Sequence, residues 1–241
     1  MNYDKNMETA RRIIDADRKK TDDRSWSAHL LTKEFEFELL FSSFAGTKLL
    51  ELGSAGHLLT TRILVSCGYS VHLADIEDRS GDIPQGASFT KSDWISFAGS
   101  TTERFSDILF VHGLEHIEDG EKLLTSLKNA LLPGGRLHII VPNALSLHRL
   151  IGAELGMLET PYSLNENDRR NGHVRMYDIQ TLAETVNRCG YHTVKSCGIQ
   201  IKPLTDAELF DKGDEYIRAM NRLSGRFTEY CSELYICAEA D

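Results

Sequence analysis

The chain has 241 residues, enough to bury one sizeable core and short for two full domains. Its 27 basic and 36 acidic side chains give a formal charge of −9, which repels phosphate backbones and anionic lipid and argues against nucleic acid and membrane surfaces as partners. With 41% apolar and 26% charged residues, the composition is that of an ordered soluble protein.

The opening MNYDKNMETARR has no apolar h-region and predicts no signal peptide, and the longest apolar runs are strand-sized. Residues 4–24 mix charges around Met7, Ala10, Ile13, Ile14 and Ala16 and read as a short surface helix or a loose arm. Residues 28–45 carry Leu31, Phe35, Leu39 and Leu40 on a helical face that Gly46 ends; residues 1–45 are thus an N-terminal helical segment. Strands follow at 48–52 and 70–75 (SVHLAD), then the stretch ASFTKSDW, a buried strand at 105–111 (FSDILFV), a helix at 119–132 stopped by the turn Pro133-Gly134-Gly135, and a strand at 136–142. The irregular stretch 143–177 reads as a lid or acceptor-binding insertion. A helix at 178–189, a strand at 191–197, a helix at 206–224 and a last strand at 233–240 complete one domain, residues 1–241. The strands are apolar nearly throughout, as in a parallel sheet covered on both faces, so the fold class is doubly wound α/β. The five cysteines (67, 189, 197, 231, 237) form no CxxC pair, which points to a reduced, cytoplasmic setting without structural zinc.

The sharpest early signal is Glu51-Leu52-Gly53-Ser54-Ala55-Gly56-His57, where a strand turns into a helix. Gly53 permits a tight turn, and the small residues behind it let a ligand approach. The spacing is not GxGxxG, because Ala55 takes the second glycine position and Leu59 closes the frame, which weakens a dinucleotide reading. An acid inside the turn suits a ligand bearing an amine or cation. Asp75 ends the second strand 22 residues past Gly53, where a carboxylate can accept two ribose hydroxyls; Glu77 competes for that role. Asp93 is placed to meet an adenine amino group, and Trp94 to stack or to pack.

With residues 105–142 included, the chain closely resembles the class I S-adenosylmethionine-dependent methyltransferases, in the branch with small-molecule acceptors. The matching pieces are LLELGSAG, HLAD, SDW, the block FSDILFVHGLEHIEDGEKLLTSLKNALLPGGRLHIIVPN, and the later GHVRMYDIQTLAETVNRCGY. They cover about residues 45–200 plus the final strand. The resemblance implies a mostly parallel seven-stranded sheet of order 3-2-1-4-5-7-6, last strand antiparallel, with helices on both faces. It places Glu51 at the methionine amine, wraps Gly53, Ser54, Ala55 and Gly56 around the methionine part, holds the ribose with Asp75, counts Ile76 among the cofactor-binding residues, flanks the adenine with Asp93 and Trp94, and lines the cofactor with His112, Gly113 and Leu114. The cofactor it implies is S-adenosyl-L-methionine, with S-adenosyl-L-homocysteine as product, and no metal.

His112-Gly113-Leu114-Glu115-His116 also spells HxxEH, an inverted zinc-protease motif, but that motif needs a helix and this one follows directly on a strand. On the acceptor side stand Asn143, Arg149, Arg175 and Tyr177, while His173, His148 and His112 are the candidate proton acceptors. Arg149 and Arg175 suit an acceptor carboxylate or phosphate, or else a partner among Glu154, Asp168 and Asp178. The expected reaction is in-line attack of a small metabolite's hydroxyl or amine on the sulfonium methyl, by a monomer or homodimer. A non-catalytic scaffold or partner subunit of the same fold is the alternative. A nicotinamide-dependent oxidoreductase fails on the glycine spacing, and the chain lacks an NPPY-like sequence after the fourth strand.

Overall fold

The structure is a computed structural model, and it describes residues 2–54 and 56–241. In chain order the elements are α1 (Tyr3–Arg18), α2 (Arg24–Phe41), β1 (Lys48–Leu52), α3 (Leu59–Ser66), β2 (Ser70–Asp75), β3 (Ala87–Lys91), α4 (Trp94–Ser100), β4 (Phe105–Val111), α5 (Gly120–Leu127), β5 (Leu131–Pro142), α6 (Leu147–Glu154), α7 (Glu166–Arg170), α8 (Ile179–Arg188), β6 (Tyr191–Ile201), α9 (Asp206–Lys212), α10 (Asp214–Leu223) and β7 (Cys231–Ala240). The seven strands are ordered β3-β2-β1-β4-β5-β7-β6, with β7 antiparallel, as the resemblance implies. β1 runs parallel to β2 and β4, β2 to β3, and β4 to β5, so the C-terminal ends of these strands share one edge. Residues group into two compact units.

The unit formed by Ser43–Ile140, Thr181–Lys195 and Ile236–Asp241 holds the first strands. Leu49, Leu50, Leu73, Ile108, Leu109, Phe110, Leu137, Ile139 and Ile140 are all fully buried. Consecutive strand residues are therefore covered on both faces, which explains why these strands do not alternate apolar with polar. Two polar groups lie inside this apolar wall. Asp107 on β4 and His138 on β5 are both completely buried and bond at 2.9 Å. The Asp107 carboxylate also accepts from the main-chain N–H groups of Ala45 (2.8 Å) and Gly46 (3.0 Å), which pins the connection into β1.

The other unit takes the chain through Ser42, Val141–Gln180 and Ser196–Tyr235. Its first helices are better anchored than a surface arm. Asn2 caps α1 by accepting from Lys5 N, and Asp23 caps α2 by accepting from Trp26 N. Met7, Ala10 and Ile14 form a buried stripe on α1, and Ala28 and Leu31 on α2 pack with Leu209 and Ile217. Arg18 grips Asp214 with two bonds of 2.8 and 2.7 Å, and Arg218 reaches Glu34 at 3.1 Å. Of the two readings of 4–24, short surface helix or loose arm, the structure shows the helix, capped and packed.

Two boundaries differ from the sequence reading. Pro133-Gly134-Gly135 does not stop a helix before a strand but lies inside β5. The β4–β5 register shifts between Phe105 and Asp107, and Gly134 takes a φ of 72°, so these residues form a bulge. A Cβ on Gly135 would sit 2.8 Å from the carbonyl oxygen of Leu132. The single helix expected over 206–224 is two helices, because Gly213 adopts a φ of 87° between them. Within 143–177 the helical run SLHRLIGAELGML contains α6 as its sequence suggests, and α7 with a network around Asp168 organises the polar loop after it. Arg149 donates to Asp168 (2.8 Å) and to the carbonyls of Pro161 (2.8 Å) and Ser163 (2.5 Å), and Asn165 and Asp168 complete a capping box on α7.

Candidate active site

The glycine turn stands where β1 and β2 end side by side. Glu51 pairs in register with Leu73 and Leu52 with Ala74, and Gly53 N continues the ladder by donating to Ala74 O at 2.9 Å. Two carboxylates are thus brought to one strand edge, each only 5% exposed: Glu51 and Asp75. Glu51 accepts the Thr61 hydroxyl of α3 at 2.6 Å. The two Asp75 oxygens accept from Ser54 N (3.0 Å) and Glu77 N (2.9 Å), bonds that clamp the glycine turn to the end of β2. Beside them Ile76 is 64% exposed, an apolar surface held next to a buried acid.

Gly53 takes a φ of 72°, and a Cβ there would lie 2.5 Å from the Trp94 indole. Trp94 donates to Ala74 O (3.2 Å) and meets Phe110 edge-on at 5.1 Å. The missing side chain at 53 therefore admits an aromatic from the protein itself, whereas a Cβ on Gly56 would meet nothing nearer than an Arg79 nitrogen at 4.0 Å. Asp93 caps α4 by accepting from Ser96 N at 2.9 Å, and that bond holds its pKa below the usual carboxylate value. Ala55 lies outside the described residues.

After β4, His112 sits in the left-handed region (φ 51°) and its N–H donates to Ile140 O at 2.8 Å. A Cβ on Gly113 would collide with the Phe110 ring, so this glycine serves the same aromatic pair as Gly53. Glu115 is 1% exposed, and one of its oxygens lies 3.7 Å from His112 Nδ1 and 3.9 Å from His116 Nε2.

The acceptor-side candidates lie in the other unit. Asn143 is 1% exposed, and its amide donates to the carbonyls of Glu229 and Cys231 (both 2.8 Å) and accepts from Leu145 N (3.0 Å). Arg149 has the Asp168 partner foreseen as an alternative. His173 places Nδ1 3.7 Å from Asp168. Tyr177 is buried and its carbonyl accepts from Ala144 N at 2.7 Å, while Arg175 is partly buried. His148 keeps surface exposed to solvent, although crowding by protein and the charges of Lys202 and Arg149 hold its pKa well below the usual histidine value. Sequence reasoning missed Thr61 and Arg79; the only trace of Arg79 is a lone base in the acidic turn DIEDRSGD.

Residues 24–196 match the model of a family described as methyltransferase domain. The chain belongs to this family and has the fold of the class I S-adenosylmethionine-dependent methyltransferases. Among solved structures it is similar to a SAM-dependent methyltransferase from Archaeoglobus fulgidus (19% identity, 88% of this chain and 94% of that one, TM-score 0.59). It is also similar to the 1,6-didemethyltoxoflavin-N1-methyltransferase of Burkholderia thailandensis, solved with bound 1,6-didemethyltoxoflavin and S-adenosylhomocysteine (16%, 94% and 82%, 0.54). A third is the N-methyltransferase NodS of Bradyrhizobium japonicum in complex with S-adenosyl-L-homocysteine (14%, 98% and 98%, 0.52). No curated protein sequence matches the chain. No helix among the described residues is long and apolar enough to cross a membrane.

Proposed function

We propose that the protein transfers a methyl group from S-adenosylmethionine to a hydroxyl or amine of a small molecule. The observation that carries the reading is the pair of buried carboxylates, Glu51 and Asp75, on adjacent parallel strand ends either side of a glycine turn. This donor set fits the cofactor: acceptors for an ammonium and for ribose hydroxyls, and an exposed apolar side chain, Ile76, for a base. S-adenosylmethionine supplies, when bound, an electrophilic methyl on a positively charged sulfur.

In this reading Glu51 accepts from the amine, held in place by Thr61. Asp75 keeps one lone pair per oxygen for the ribose beyond its bonds to Ser54 and Glu77. Asp93, with Ile76 and Trp94, borders the adenine, and Gly53, Ser54, Gly56 and His112 line the rest. The chain's contribution to rate is alignment of the acceptor atom with the methyl, exclusion of water, and removal of one proton. His112, His148 and His173 are the proposed proton acceptors. Arg175 and Tyr177 are the proposed acceptor contacts. Asn143 and Arg149, whose polar atoms are engaged with main chain and Asp168, are proposed to hold the backbone that presents them.

A small acceptor is supported by the charge of −9, which disfavours polyanionic substrates, and by the toxoflavin-precursor enzyme among the similar structures. Calorimetric titration with S-adenosylhomocysteine and S-adenosylmethionine, with NAD as control, tests the cofactor. Binding of NAD alone overturns the reading. Mass-spectrometric screening of metabolite pools for gain of a methyl group, repeated with His112→Gln, His148→Gln and His173→Gln, tests the acceptor class and the base.

A further inference from the structure

Arg79 belongs to the turn after β2, and the turn aims it. Its carbonyl accepts from the N–H groups of both Asp82 (3.0 Å) and Ile83 (3.1 Å), and Ser80 N donates to Asp78 at 3.0 Å. The side chain, 16% exposed, folds back over the glycine turn. One terminal nitrogen donates to Ser54 O at 3.2 Å and to the Glu77 carboxylate. The other stands 4.0 Å from where a Gly56 Cβ would be. Nε faces Asp75 at 3.6 Å and, though buried, makes no hydrogen bond. The guanidinium thus covers both the carboxylate and the main chain that the cofactor reading assigns to the ligand.

Resting on that reading, we propose that Arg79 is a stand-in cation: it neutralises the acids of the turn until the positively charged cofactor enters, and it must yield for that cofactor to bind. Its hold is built to release. Each Asp75 oxygen accepts one N–H, from Ser54 or Glu77, and Arg79 faces that carboxylate as an ion pair without a hydrogen bond. Glu77, 67% exposed on its side chain, keeps a partner for the guanidinium as it swings out. S-adenosylmethionine carries a net positive charge and its product none, so loss of Arg79 relieves competition for both and repulsion for the first alone.

Titration calorimetry and thermal unfolding of Arg79→Gln and Arg79→Lys test this. For Arg79→Gln the S-adenosylhomocysteine Kd is expected to fall about two- to fivefold, the scale of one partly screened ion pair, with a larger fall for S-adenosylmethionine. The ligand-free variant is expected to melt roughly 1–4 °C lower, since Asp75 has lost its counter-ion, and Arg79→Lys to lie between it and the parent. Unchanged or weaker binding by Arg79→Gln overturns the stand-in role. Asp75→Asn separates this from failure of the cofactor reading: if it binds S-adenosylhomocysteine as well as the parent, the reading itself falls, and the proposal with it.

Discussion

Buried carboxylates occur at both ends of one run of parallel strands, β2-β1-β4, and the two ends treat them differently. Near the start of β4, Asp107 has each oxygen occupied, by Ala45 N, Gly46 N and His138. At the C-terminal ends of β1 and β2, Glu51 and Asp75 are also buried, yet Asp75 holds an ion-paired guanidinium without a hydrogen bond to it, and an exposed isoleucine stands alongside. A satisfied buried acid fixes structure, whereas an acid left with spare acceptor capacity is ready for a ligand. The spare capacity lies at the carboxyl ends of the strands, where ligands of open α/β folds gather.

The strongest way to break this contrast is Asp107→Ala. It strips an acceptor from two main-chain N–H groups and a partner from His138, and is expected to cost about 3–5 kcal/mol in denaturant unfolding. A loss below about 1 kcal/mol would place Asp107 among the dispensable groups. At the other end, Asp75→Asn is expected to leave the fold in place and weaken S-adenosylhomocysteine binding by roughly 1–3 kcal/mol, the worth of hydrogen bonds to a charged group, read by calorimetry.

Acid sharpens the comparison next. Burial lowers the His138 pKa despite the opposing pull of Asp107, and burial likewise lowers that of His72, whose ring nitrogens meet Ser88 (2.8 Å) and Thr90 (3.1 Å). The unfolded chain takes up these protons near pH 6.5 and the folded chain does not. Stability is therefore full above that pH and declines as pH falls through it toward the lowered values, by at most about 1.4 kcal/mol per pH unit for each histidine. Thermal melts from pH 8 downward, about, are expected to show this slope, and His72→Gln to flatten it in part. The smallest effect belongs to Asp93→Ala, which removes the cap of α4 and is expected to cost about 1 kcal/mol, whereas Asp93→Ser retains most of it.

Much of the first unit's strand pattern was readable in advance, because a parallel strand covered on both faces must be apolar along its length. β1, β2 and β4 begin and end at the residues that the runs KLLEL, SVHLAD and FSDILFV mark. Local composition failed where a neighbour decided the outcome. Pro133-Gly134-Gly135 is punctuation by composition, yet pairing of Leu131 with Phe105 carries the strand through it. Gly53 reads from the sequence as the residue of a tight turn, and the space beside it is taken by Trp94, 41 positions along the chain.

A carboxylate at each strand end and a glycine between them follow from residue type and spacing, because turns and parallel strands impose their requirements locally, whereas the strand order was implied by the resemblance alone. Which acid is satisfied and which keeps spare capacity does not follow, since that depends on main-chain N–H groups and cations delivered from elsewhere. Ala45 and Gly46 reach Asp107 across some sixty positions. Arg79 is four residues from Asp75, but only the folded turn at 79–83 bends it back over the glycines. Hydrogen-bond accounts close in three dimensions, and it is there that this protein separates its saturated acids from those with spare acceptor capacity.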